Sequence, residues 1–175
     1  MATEYLNPRE TTIVVNLVAS VAPKVVFEFG VNLGKTARTL LRSIPSIKLY
    51  VGIDIPFGRA TRLDCQRREV PHAAGMYAAS DRRFHLLFGE STSFGPEDLE
   101  PLDAAFIDGD HSAVGVTHDS RLSRALLRPN GVIVWHDYGN PAVEVTAALD
   151  KLIAEGWPIK HIPDTWVAYM RDSRQ

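Results

Sequence analysis

Short apolar runs of strand length alternate with amphipathic stretches of helix length along most of the chain. That alternation constrains the fold more than any other feature. The strand candidates are Lys24 to Phe29, Lys48 to Ile53, Phe84 to Phe88, Ala104 to Ile107 and Val132 to Trp135. Leu33 to Ser43 reads as a helix with Ala37, Leu40, Leu41 and Ile44 as its apolar stripe. Ala113 to Leu127 reads as another, stopped by Pro129-Asn130-Gly131. Pro141 to Glu155 reads as a third, with Asn140 placed to cap it and Gly156 to end it. A further helix, over residues 7 to 22, precedes them. Asn7 can cap it, Pro8 suits its first position, and Glu10 completes a box-like cap. Strands joined by helices pair in parallel, so the expectation is a doubly wound α/β fold with helices on both faces of the sheet. Pro163-Asp164 is a turn signal between Pro158–Ile162 and Thr165–Met170, which predicts an antiparallel pair closing a seven-stranded sheet.

The length of 175 residues fits one domain, residues 1–175. A net charge of -2 supplies no global field towards nucleic acid or an anionic membrane. Cys65 is the only cysteine, so no internal disulfide is expected. No leader-like segment and no membrane-length apolar run is present, and the expected location is the cytoplasm. The amphipathic first helix is a candidate dimer surface. Residues 55–83 interrupt the pattern with six arginines (59, 62, 67, 68, 82 and 83) plus Pro71 and Gly75. They predict a helix with a mobile excursion, read either as a substrate lid or as a solvated basic face.

The segment from Val25 to Thr36, VVFEFGVNLGKT, carries the strongest functional signal. An apolar strand ends in a carboxylate, two glycines four apart follow, and a helix starts. Gly30 permits a sharp turn, and Gly34 permits a ligand to approach the backbone where free N–H groups favour an anion. Twenty-six residues after Glu28, Asp54 closes the second strand, the place from which a carboxylate accepts ribose hydroxyls in doubly wound folds. Together they point to a nucleoside-containing cofactor. The dinucleotide fingerprint is G-x-G-x-x-G. Here the loop is G-x-x-x-G with Asn32 inside it, which disfavours NAD and FAD.

This loop resembles the first motif of class I S-adenosylmethionine-dependent methyltransferases, E-x-G-x-x-x-G-x-[ST]. The resemblance continues in order through Phe88-Gly89-Glu90-Ser91, Phe106-Ile107-Asp108-Gly109-Asp110-His111-Ser112 and Leu127-Arg128-Pro129-Asn130-Gly131-Val132-Ile133-Val134. FIDGDH followed by WHDY is similar to methyltransferase domain family 24, which includes relatives of catechol and macrolide-sugar O-methyltransferases. The resemblance implies a Rossmann-like fold and S-adenosyl-L-methionine as cofactor. It implies cofactor contacts from Glu28, Gly30, Asn32, Gly34, Thr36 and Asp108, ribose contact from Asp54, and adenine contact from Glu90 and Ser91. It also implies methylation of a hydroxyl on a small molecule or glycoside.

Asp108 and Asp137 each end an apolar strand. Two carboxylates on neighbouring strand ends repel unless hydrogen-bonded, protonated or bridged by a cation. Hard oxygen ligands suit Mg²⁺ or Mn²⁺. In the resembling metal-dependent enzymes the second acidic pair is Asp-Asp or Asp-Asn, whereas here it is His136-Asp137. The candidate ligand set is therefore Asp108, His136 and Asp137, and hydrogen bonding of both aspartates to loop amides is the alternative. His111, three residues past Asp108, matches the base of the macrolide-sugar enzymes, which makes His111 and Asp108 the catalytic candidates. Two other functions share the scaffold: a cephalosporin-hydroxylase-like enzyme, and a nucleoside-binding protein without chemistry.

Overall fold

The computed structural model describes residues 6–63 and 72–172. Helix α1 (Pro8–Ala19) starts from a capping box in which Asn7 Oδ1 accepts from the Glu10 amide at 2.9 Å. Strand β1 (Val25–Phe29) leads through the glycine loop into α2 (Lys35–Ser43), followed by β2 (Leu49–Asp54) and β3 (Phe84–Phe88). Then come β4 (Leu102–Ile107), α3 (Ala113–Leu126), β5 (Leu127–Trp135), α4 (Val145–Ala154), β6 (Lys160–His161) and β7 (Ala168–Arg171).

The strands form one seven-stranded sheet in the order β3-β2-β1-β4-β5-β7-β6, parallel except where β7 runs antiparallel to β5 and β6. Because side chains alternate across a strand, each strand feeds two cores. Phe27, Phe29, Val51, Ile53, Ile107, Ile133 and Trp135 pack under α3 and α4 through Val116, Leu122, Leu149 and Leu152. Val26, Tyr50, Phe106, Val132 and Val134 pack under α1 and α2 through Val14, Val18, Leu40 and Leu41. Burial on both faces explains why the inner strands read as unbroken apolar runs.

Two local expectations are corrected. The Pro129-Asn130-Gly131 turn is absorbed into β5, where Leu102 pairs with Leu127 but Ala104 pairs with Val132, and Asn130 takes a φ of 65°. Helix α4 starts at Val145, not Pro141. Asn140 does not cap it, because its side-chain amide donates to Asp137 Oδ1 at 2.6 Å and its Oδ1 accepts from the Ala142 amide. The described part of 55–83 contains turns and no helix, and Cys65, Arg67 and Arg68 lie outside the described residues. Residues 72–80 are tied to the glycine loop through Gly75 N to Asn32 O at 2.7 Å and Tyr77 N to Leu33 O at 3.0 Å. No helix among the described residues is long and apolar enough to cross a membrane.

Candidate active site

Chain direction across the sheet reverses between β1 and β4, and the crevice outside the carboxyl ends of such strands is where α/β sheets bind ligands. A cavity of ≈ 360 Å³ opens there, within the range of small-molecule sites. Gly30, Asn32, Asp54, Glu90, Ser91, Asp108 and His111 all line it. Glu28, Gly34 and Thr36 do not.

Backbone hydrogen bonds hold the rim. Gly30 N donates to Ile53 O at 2.9 Å, Asp108 N to Phe29 O at 2.9 Å, and His136 N to Ile107 O at 3.1 Å. Gly30 has a φ of 83°, and a Cβ on it would fall on the Asp108 carbonyl. Its smallness is thus demanded by the neighbouring loop. Gly34 is similar: φ is 80°, and an added Cβ would stand 2.9 Å from the Gly75 backbone. Glu28 points into the core beneath the loop, where Tyr50 donates to its Oε2 at 2.9 Å. Burial pushes the Glu28 carboxyl well above the usual range.

Asp54 organises the glycine loop. Its Oδ2 accepts from the amides of Val31 (3.0 Å) and Asn32 (2.6 Å), and its Oδ1 from Ile55 (2.7 Å). Burial raises its pKa, and these amides offset part of that rise. A carboxylate has about four lone-pair sites, so three amides leave capacity for a hydroxyl in the cavity. Across the opening, Arg59 bonds Glu90 at 3.0 Å, and Arg62 bridges Glu90 at 3.3 Å to Asp110. The sequence reading placed these two arginines only within a basic stretch. Their acidic partners come from the loops after β3 and β4.

Beyond the ends of β4 and β5 lies a compact ionisable cluster. His111 Nε2 lies 3.3 Å from Asp108 Oδ1 and 3.4 Å from Asp137 Oδ2. His136 Nδ1 faces the same two oxygens at 3.4 and 3.3 Å, and its Nε2 faces Glu10 Oε2 at 3.4 Å. With a carboxylate against each ring nitrogen, His136 is an imidazolium. Burial opposes that charge, but Asp108 and Asp137 outweigh it and push the pKa to about 11. For Asp108, burial opposes ionisation, and the charge of His136 with hydrogen bonds from both histidines holds it well below the carboxylate range. Glu10 is anchored in turn: its Oε1 accepts from the Trp166 amide at 2.8 Å. Sequence reasoning saw Glu10 only as a helix cap. Asp137 sits at the end of β5 with a φ of 63°, a conformation held by the surrounding packing.

Asp108, His111 and Asp137 each offer a donor atom within 4.8 Å of the others, so this trio could hold a metal ion. His136, expected from sequence as a ligand, falls outside that set and supplies positive charge behind it.

Residues 27–138 match a family model described as a methyltransferase domain. No curated protein matches the sequence. Among solved structures, the fold is similar to the calicheamicin methyltransferase CalS11, with a TM-score of 0.71, 19% identity and coverage of 95% of this chain and 80% of that one. It is similar to TomG of Streptomyces achromogenes, an O-methyltransferase of tomaymycin synthesis solved with SAM (TM-score 0.69, 14% identity, coverage 98% and 83%). It is also similar to an O-methyltransferase of Bacillus cereus solved with SAH (TM-score 0.65, 17% identity, coverage 97% and 82%). At these identities the likeness is one of fold.

Proposed function

The chain belongs to the methyltransferase domain family, and from that premise we propose that it transfers the methyl group of S-adenosyl-L-methionine to a hydroxyl of a small molecule, with His111 as general base. The observation that carries this reading is the placement of His111 on the cavity wall between two buried-edge carboxylates. The O-methyltransferases of similar fold support the choice of oxygen as acceptor.

The donor supplies a methyl group already activated on a sulfonium. The chain's residues must then bind, align and remove a proton. The β1–α2 loop with Asp54 would hold the donor's ribose side, and Asp108 and His111 mark where the acceptor oxygen enters. As that oxygen bonds to the methyl carbon, the carbon–sulfur bond breaks and the hydroxyl proton passes to His111. Because Nε2 donates towards Asp108 and Asp137, the incoming proton is taken by Nδ1, and the two carboxylates stabilise the resulting imidazolium. His136 keeps Asp108 ionised for that purpose.

The same trio favours a second reading. A divalent cation such as Mg²⁺ or Mn²⁺, held by Asp108, His111 and Asp137, would make the acceptor hydroxyl easier to ionise. His111 would then be a ligand and not the base.

Incubation with labelled S-adenosyl-L-methionine and a panel of hydroxylated acceptors tests the activity. With an accepted substrate, His111→Ala should lower kcat by roughly 10²–10⁴ and leave donor affinity within about twofold. Near-normal turnover of a weakly acidic alcohol by that variant would remove His111 from the role of base.

A further inference from the structure

Asp119 lies on the inner face of α3 and is fully buried, yet neither carboxylate oxygen has a hydrogen-bond partner. Among the described residues it is the only carboxylate with both oxygens in this state. A buried carboxylate without donors is costly, and native structures keep such groups where something else will meet them. Asp119 also lines the cavity, at the end formed by Glu90 and Ser91.

Its position there is fixed. Helix α3 packs against the short 3-10 turn Ser91–Ser93, and His118, the preceding residue, donates to the Ser91 carbonyl at 3.0 Å. Asp119 is six residues into α3 from Ala113, about 9 Å of helical rise beyond the end that carries His111. Asp108 and His111 thus line the cavity before α3 begins, and Asp119 lines it further along α3, beside Ser91. Burial pushes the Asp119 carboxyl up to about 7; Asp110 adds to the rise, and Arg62 and the nearby Ser91 hydroxyl, which does not reach hydrogen-bonding geometry, oppose it. Ser123, one turn on, also has an unpartnered hydroxyl and does not satisfy it.

We propose that Asp119 reads the base of the bound donor by accepting a hydrogen bond from the exocyclic amine of adenine, which makes it the residue that selects adenine over a 6-oxopurine. This rests on the reading of the cavity as the site of S-adenosyl-L-methionine. The chemistry is direct. Once ionised, above its value of about 7, the Asp119 carboxylate only accepts hydrogen bonds, so an amine at the purine 6-position satisfies it and an oxo group there opposes it. Selectivity of this kind is strong because the wrong ligand leaves a buried polar group unpaired.

The test compares binding of S-adenosylhomocysteine and its deaminated, inosine-containing counterpart to the whole chain by calorimetry at about pH 8.5, where Asp119 is ionised. The wild type should prefer the adenine compound by about 10- to 100-fold, the scale of losing a hydrogen bond to a charged group. Asp119→Asn is nearly isosteric, removes the buried charge, and can turn its amide to suit either base. Its preference should collapse to within about threefold, while its thermal midpoint without ligand should equal or exceed that of the wild type. An unchanged preference in Asp119→Asn overturns the assignment and leaves the methyltransferase reading standing. So does a lowered midpoint, which would make Asp119 a structural residue. If the wild type binds neither compound, the reading of the cavity itself fails.

Discussion

Replacing His136 by glutamine tests the charge balance on which the site stands. The imidazolium touches three carboxylates, Asp108 at 3.4 Å, Asp137 at 3.3 Å and Glu10 at 3.4 Å, and is 7% exposed. Glutamine can donate towards one side only and carries no charge. Removing one partner of a buried ion pair typically costs about 3–5 kcal/mol, because the remaining charge is left without compensation. That is a large part of the roughly 5–15 kcal/mol by which domains are stable. The pH dependence follows from the two shifts. A histidine raised from 6.5 to about 11 contributes stability fully below 6.5 and loses it as pH rises towards about 11. Asp108, held below its ordinary 3.8, contributes above that value and loses its share as pH falls through its lowered folded pKa. The gap between wild type and His136→Gln should therefore be widest between about pH 4 and 6.5 and shrink steadily above it. Urea denaturation in chelating buffer at about pH 5.5, 7.5 and 9.5 measures it. A gap below about 1 kcal/mol at the lowest of these, or one that stays constant across them, refutes the caged imidazolium.

Two further outcomes are expected. Asp54→Ala should weaken binding of S-adenosylhomocysteine by about 1–3 kcal/mol in calorimetry, the scale for hydrogen bonds to a charged group. Unchanged affinity in a folded variant would place the ribose elsewhere. With His111 as base, turnover should survive exhaustive treatment with EDTA, whereas loss of activity restored by Mg²⁺ or Mn²⁺ would assign the work to a cation in the Asp108–His111–Asp137 trio.

Most of the fold was legible because periodicity and punctuation agree. Asn7, Pro8 and Glu10 form the expected cap, and the five apolar runs all become strands within a few residues of their expected ends. The missed boundaries have local causes. Asn140 had a capping residue's chemistry, but a stronger partner, Asp137, claims its side chain. The cavity-lining residues at strand ends were readable from motif order. The functions of Glu10 and Asp119 were not, because both depend on contacts remote in sequence: Glu10 meets His136 and Trp166 across the sheet. A faint sign of Asp119 existed, a carboxylate on the same helix face as Val116, Leu122 and Leu126, where an apolar side chain is the norm. The reason for Gly34 was also hidden, since Gly75, forty-one residues away, is what crowds it.

The contact between Gly30 and the Asp108–Gly109 peptide has an evolutionary consequence. A Cβ at Gly109 would stand 3.0 Å from the Gly30 amide nitrogen, and one at Gly30 would strike the Asp108 carbonyl. The β1–α2 loop proposed to hold the donor and the β4–α3 loop proposed to present the acid–base groups are thus one mechanical piece, touching backbone to backbone. A mutation that loosened either would shift both, so lineages cannot retune donor affinity and reaction geometry separately at this seam. Diversity in what is methylated must come from surfaces that do not share it, such as the arginine-bearing segment over the cavity or the turns after β5. An engineer grafting a new acceptor pocket onto this scaffold should hold the two glycines fixed and vary the rim.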